Sequence, residues 1–210
     1  MVVEAVPTVN NCDDIVSSML KGIAVGKTGL SVAVEVEVNV LYGAGAKVAQ
    51  IFITQIAGFK LPLKEIEVLR AKWLRAYPSI AKYHKKIGAK ITDEGMLVHT
   101  PLGRPVWAKT YTEALNIPSQ GAGAETTKLA LRLLFIRLPE AKLVNTVHDS
   151  ITLECKGLEE SKRQAVILKQ CLDDSWLKIS EYLPYKKLRM NNVAEVTKTY
   201  EGKAVWSTTL

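Results

Sequence analysis

Thirteen residues constrain this chain more than any others: Leu143 to Cys155, LVNTVHDSITLEC. Val144, Thr146 and Val147 lead into three polar residues, His148, Asp149 and Ser150, and Ile151, Thr152 and Leu153 lead out. β-Branched arms suit a half-buried sheet, and short polar residues suit a tight connection between two strands. The segment therefore reads as a β-hairpin with a charged tip. A carboxylate held there has little freedom, which suits a metal ligand or a catalytic group. Aspartate is also a common turn residue, so the hairpin by itself leaves both readings open.

The rest of the chain surrounds this hairpin with helices and one further hairpin. Residues 1–29 carry little pattern beyond Asp13-Asp14, which can cap a short helix through Met19-Leu20. Gly26-Lys27-Thr28 ends like a phosphate-binding loop, but Gly22 stands one residue too close to Gly26 for that motif. Valine at 32, 34, 36, 38 and 40 gives the period of a strand. Leu41 to Ala46, LYGAGA, is a small-residue turn before a helical run, KVAQIFITQIAGF. Gly43-x-Gly45 lacks the third glycine of a dinucleotide fingerprint. Residues 63–87 predict a long amphipathic helix with Ile66, Leu69, Trp73 and Leu74 on one face, and Pro78 predicts a kink or break in it. Lys72, Arg75, Lys82, Lys85 and Lys86 lie away from that face, as a solvated surface or a phosphate-tracking one requires.

Residues 95–109, GMLVHTPLGRPVWAK, predict a second hairpin with a Pro-Leu-Gly turn and Arg104 near its tip. A buried helix then enters at Pro118-Ser119, with Gln120 and the neighbouring glycines in its first turn. Residues 158–183 predict another helix, with Glu159 and Glu160 complementing its N-terminal dipole and Ala165, Leu168, Leu172 and Ile179 forming its apolar stripe. The chain closes with Lys186, Lys187 and Arg189 and a strand around Val193–Tyr200. No internal repeat or low-complexity tract interrupts it.

A chain of 210 residues, 48% apolar and 23% charged, has ample length for a hydrophobic core and is no disordered segment. Its net charge of +7 favours a polyanionic partner, nucleic acid above all. The three cysteines, Cys12, Cys155 and Cys171, form no CxxC pair, which argues against a disulfide framework or zinc knuckle and fits a reducing compartment. No uncharged apolar run reaches membrane-spanning length, so the expectation is a cytoplasmic protein with no membrane partner.

Three stretches, in this order and spacing, resemble the family A DNA polymerases, the bacterial polymerase I and phage replicase group. LYGAGA at 41–46 resembles the end of that family's fingers helix, and ALNIPSQGAGAETTKLAL at 114–131 resembles the segment lying along the DNA minor groove. VHDSITLE at 147–154 resembles the palm hairpin that bears a metal-binding aspartate. WLRAYPSIAKYHKK and VHTPLGRPVWA resemble the connecting helix and hairpin, so that the likeness extends over about residues 41–206.

The resemblance implies an α+β fold: a small antiparallel palm-like sheet with long helices packed on it. It implies a remodelled, partial fingers-like region with a long helix over residues 1–90. Residues 91–210 would then be a palm-like subdomain containing the hairpin 143–155. It implies that Asp149 holds a catalytic Mg²⁺ and that His148 approaches the primer end. Asn116 and Gln120 would read the minor-groove side of the terminal base pair, Tyr42 and Gly43 would lie under the nascent pair, and Arg104 would join the DNA contacts. The partners implied are DNA primer-template and deoxynucleoside triphosphates, in a bacterial or phage-infected cell. The chemistry is two-metal phosphoryl transfer.

Departures from the family pattern bear on activity. The first metal-binding aspartate of the family lies in a D-x-S-x-x-E-like motif that this chain lacks, and its place would fall before Met1. The Arg and Lys that face the incoming triphosphate fall at Leu30 and Val34, with Lys27 the nearest cation. Ser150 stands where the family has a second hairpin acid. The expectation is a split enzyme in which a second chain supplies the missing carboxylate and this chain alone is inactive. The alternatives are a non-catalytic protein that binds DNA or a replisome partner, and a fragment of a longer reading frame.

Overall fold

The computed structural model of the protein describes residues 1–8, 42–57, 60–183, 190–200 and 202–208. In chain order the elements are β1 (Val2–Thr8), α1 (Ala46–Ala57), α2 (Leu63–Ala76), α3 (Pro78–Gly88), β2 (Met96–His99) and β3 (Pro105–Ala108), followed by α4 (Tyr111–Arg137), β4 (Lys142–Val147), β5 (Ser150–Glu154), α5 (Leu158–Ser180), β6 (Asn191–Thr197) and β7 (Ala204–Ser207). They divide into two units. One comprises Met1–Asn10, His99–Arg104 and Ser119–Leu210, the other Asn11–Val98 and Pro105–Pro118.

The first unit is an antiparallel sheet of order β4-β5-β1-β6-β7. Residue alternation along its strands sorts the side chains. Val3 pairs in register with Leu153 on one side and Val196 on the other, and all three are fully buried. With Ile151 and Ala194 they pack against Ala130 and Leu134 of α4, Leu138 just beyond it, and Ala165, Leu168 and Leu172 of α5. Each such valine, leucine or isoleucine side chain contributes roughly 1.5–3 kcal/mol on burial. The fold class is α+β, as expected.

The central strand of this sheet is β1, which sequence reasoning left unassigned. Its valines carried the signal, but Pro7 and the absence of a flanking turn motif hid it. Residues 2–8 thus pair in one sheet with the hairpin 143–155.

In the second unit, Ala49 and Ile53 of α1 bury against Ile66 and Trp73 of α2. The break expected at Pro78 is present: Tyr77, at φ −120° and ψ 71°, separates α2 from α3, and Pro78 opens α3. A residue before proline is excluded from the helical region, and proline itself fits a first helical turn. A second small core joins Ile87, Val98, Ala108, Ala114 and Leu115.

Helix α4 begins at Tyr111 and not at Pro118, which lies inside it. The Glu113 carboxylate accepts from the backbone N–H groups of Lys109 (2.7 Å) and Thr110 (3.3 Å), and the Thr110 hydroxyl accepts from Glu113 N–H at 3.2 Å. This is a capping box, and its sequence signature, Thr110-x-x-Glu113, was legible. A cap stabilises by about 1 kcal/mol and an interior proline costs about 3 kcal/mol. Burial of Ala114 and Leu115 before the proline, and of Ala122, Ala130 and Leu134 after it, offsets the difference. Gln120 consequently sits in the third turn of α4, with Gly121 and Gly123 in the fourth. The helix expected over 158–183 ends at Ser180, and the terminal strand is β6, with β7 added beside it.

Candidate nucleic-acid interface

The hairpin of β4 and β5 has a two-residue tip. Val147 and Ser150 are Cα partners, leaving His148 and Asp149 as the connection. His148 takes a left-handed φ of 54°, the only non-glycine residue among those described to do so. Tight hairpin turns require such backbone angles, which histidine tolerates better than most residues. The Ser150 hydroxyl donates to Val147 O at 3.0 Å, closing the tip, and Ser150 is buried. Its hydroxyl is thus a structural part of the turn. His148 and Asp149 are both exposed, and no hydrogen bond or ion pair with another described residue engages the Asp149 carboxylate.

Among the described residues no group of three His, Cys, Asp or Glu side chains comes together to hold a metal ion. Glu154 lies at the opposite end of β5, five strand residues away, or roughly 16 Å. It cannot share a metal ion with Asp149. A Mg²⁺ ion accepts hard oxygen ligands and retains water, so Asp149 is of the right type.

In the second unit, Gly43 has φ 76° and is buried against α4. A Cβ there would overlap the Leu115 side chain and come within 3.1 Å of the Tyr111 ring. The turn bearing Tyr42 and Gly43 thus packs on the start of α4, one residue from Asn116. That stretch of helix is also pinned from α3: Tyr83 OH donates to Leu115 O at 3.2 Å and Tyr111 OH to His84 O at 3.3 Å. Burial pushes both phenols above their ordinary pKa. Asn116 is half-buried, whereas Gln120, in the first unit, is exposed.

Sequence reasoning missed the anchorage of the turn between β2 and β3. Thr100 and Glu125, at 4% and 8% exposure, are hydrogen-bonded to each other. Glu125 Oε2 also accepts from Leu102 N–H at 3.1 Å, and Thr100 Oγ1 accepts from Arg104 N–H at 3.2 Å. The only available signal was an acid two turns into an apolar helix, which spacing alone does not pair with a threonine. Arg104 itself is exposed at the turn.

Charge is distributed unevenly over the described residues. The ion pairs connect Arg137 with Asp174, Arg163 with Glu140 and Glu160, Lys162 with Glu159, Lys169 with Asp173, and Lys178 with Glu181. None involves Lys72, Arg75, Lys82, Lys85 or Lys86, which are all exposed along α2 and α3. Their charge is uncompensated by described partners, as a phosphate-binding surface needs. The cluster Lys186, Lys187 and Arg189 lies outside the described residues. So do the helix expected after Asp13-Asp14, the valine strand of 31–40, and Lys27, Leu30 and Val34.

No protein-family model matches the chain. It is 33% identical over 142 residues to DNA polymerase I of Aquifex aeolicus (strain VF5), a match covering 65% of this chain and 24% of that protein. It is 27% identical over 153 residues to the thermostable DNA polymerase I of Thermus thermophilus, covering 66% of this chain and 17% of that protein. The sequence is similar to that of a family A DNA polymerase region. The chain thus spans a quarter or less of the length of these relatives. In fold it is similar to the POL domain of Pol1 from M. smegmatis, solved in complex with DNA primer-template and dNTP. The TM-score is 0.65 at 14% identity, over 92% of this chain and 39% of that one. That likeness concerns the fold alone. No described helix is long and apolar enough to cross a membrane.

Proposed function

We propose that this chain takes part in DNA-templated DNA synthesis as the C-terminal palm and partial fingers portion of a family A DNA polymerase. The observation that carries the reading is Asp149, exposed on a two-residue tip of the antiparallel sheet, in a sequence similar to DNA polymerase I. Asp149 is the metal-binding carboxylate and His148 the neighbour of the primer end. Asn116 and Gln120 face the minor groove, Tyr42 and Gly43 support the nascent pair, and Arg104 contacts the DNA. The partners are primer-template and deoxynucleoside triphosphates, in the cytoplasm of a bacterium or phage-infected cell. Mg²⁺, when bound, would activate the primer hydroxyl and stabilise the leaving oxygen.

One carboxylate does not hold two metal ions, so a second chain or further sequence brings the missing aspartate. The exposed basic surface of α2 and α3 also suits a second reading, a non-catalytic polymerase-derived protein that binds DNA or a replisome partner. Primer extension separates them. The purified chain with Mg²⁺ and nucleotides is expected to extend nothing, and addition of the chain that co-purifies from the native source restores extension. Asp149→Asn keeps the shape of the tip and removes its charge, and it should abolish the restored activity. Restored activity that survives Asp149→Asn would make the hairpin a mere turn.

A further inference from the structure

The exposed Arg104 is attached to the protein interior by a chain of hydrogen bonds. Its N–H donates to the Thr100 hydroxyl at 3.2 Å, that hydroxyl is bonded to Glu125 Oε1, and Glu125 Oε2 accepts from Leu102 N–H at 3.1 Å. Thr100 N–H donates to Arg104 O at 3.0 Å and Gly103 N–H to Thr100 O at 2.9 Å, so that the turn is closed on itself as well. Glu125 belongs to α4, and one helical turn earlier Gly121 meets Thr100 directly. A Cβ on Gly121 would lie 2.6 Å from Thr100 Cγ2. The residue before Gly121 is the exposed Gln120. A buried carboxylate is costly unless its oxygens are satisfied. Here both oxygens are engaged on one turn, and that turn presents a guanidinium to solvent.

We propose that Glu125 is a positioning residue for DNA binding. Through Thr100 it holds the backbone of Arg104 against α4, so that the Arg104 guanidinium reaches a backbone phosphate while Gln120 faces the adjoining base pair. This rests on the reading of the chain as a DNA-binding polymerase region. Glu125 touches no DNA itself. Its carboxylate serves instead as a two-point anchor beneath the turn, with Oε1 on Thr100 and Oε2 on Leu102 N–H.

The experiment measures the affinity of the full chain for a duplex primer-template over a series of salt concentrations. Arg104→Ala is expected to weaken binding about tenfold and to lower the log–log salt slope by about 0.9, the signature of one lost phosphate contact. Thr100→Val, which keeps shape and removes the hydroxyl, and Glu125→Ala should reproduce both changes. Neither should add to Arg104→Ala in the double variants, and Thr100→Ser should restore the parent values. Amide hydrogen exchange gives a readout without DNA: Arg104 N–H loses protection in Thr100→Val and Leu102 N–H in Glu125→Ala. If Glu125→Ala does not fold, Thr100→Val carries the test. Losses that add to Arg104→Ala would overturn the proposal. So would folded Thr100→Val and Glu125→Ala proteins with parental affinity and slope, leaving the polymerase reading intact if Arg104→Ala still loses its contact. Failure of the parent chain to bind primer-template at any salt concentration overturns both.

Discussion

Gly43 lies so close to Leu115 that no side chain fits between them. The glycine's φ of 76° and its contact with the leucine are separate constraints, and both exclude a Cβ. Together they fix a surface turn onto the first turns of α4.

Gly43→Ala is therefore expected to destabilise the protein by roughly 1–3 kcal/mol, from a strained backbone plus overpacking against Leu115. Gly45, two residues on, has open space around its Cα and is not among the glycines with positive φ. Gly45→Ala should be neutral or slightly stabilising. Urea denaturation of the two variants checks the contrast, and equal midpoints would show that the close approach is unimportant.

Binding to duplex DNA should be independent of sequence and steeply dependent on salt. If Lys72, Arg75, Lys82, Lys85 and Lys86 each neutralise one phosphate, the log–log slope is about −4.5. Replacing Lys85 and Lys86 by glutamine should reduce its magnitude by about 1.8. A flat salt response would show that this face is merely solvated.

Gln120→Ala should weaken binding at a paired primer end about fivefold and leave single-stranded DNA nearly unaffected. One hydrogen bond to a minor-groove acceptor is worth on the order of 1 kcal/mol. Such acceptors occur on every base pair, so the contact would report pairing geometry without selecting sequence. Competition titrations with the two DNA forms decide this, and equal losses on both would reduce Gln120 to a helix-surface residue.

Acid should weaken the start of α5. Hydrogen bonds from Arg163 and then Gln164 hold the Glu160 carboxyl down to about 2, below its ordinary 4.5. A depressed carboxyl contributes stability that is fully present above 4.5 and is lost as pH falls from about 4.5 through about 2. The group is partly exposed, so the effect is small and screened by salt. Thermal melts of the parent and Glu160→Gln should differ at pH 7 and converge at pH 2, and a difference that persists at pH 2 would refute the assignment.

Local signals specified much of this protein before any packing was considered. The β-branched arms and polar tip of 143–155 defined the hairpin, because alternation and turn chemistry act over a few residues. Pro78 defined the break between α2 and α3 for the same reason, since its ring restricts Tyr77 directly. The ordered motifs LYGAGA, ALNIPSQGAGAETTKLAL and VHDSITLE pointed to the polymerase family. Tertiary structure decided what depends on residues distant in the chain. The strand Val2–Thr8 is central because Val3 completes a buried row with Leu153 and Val196, a pairing that no local pattern encodes. The helix runs through Pro118 because burial on either side offsets the lost backbone bond. Glu125 reaches back to Thr100 across 25 residues, and only folding brings the carboxylate under the turn that carries Arg104.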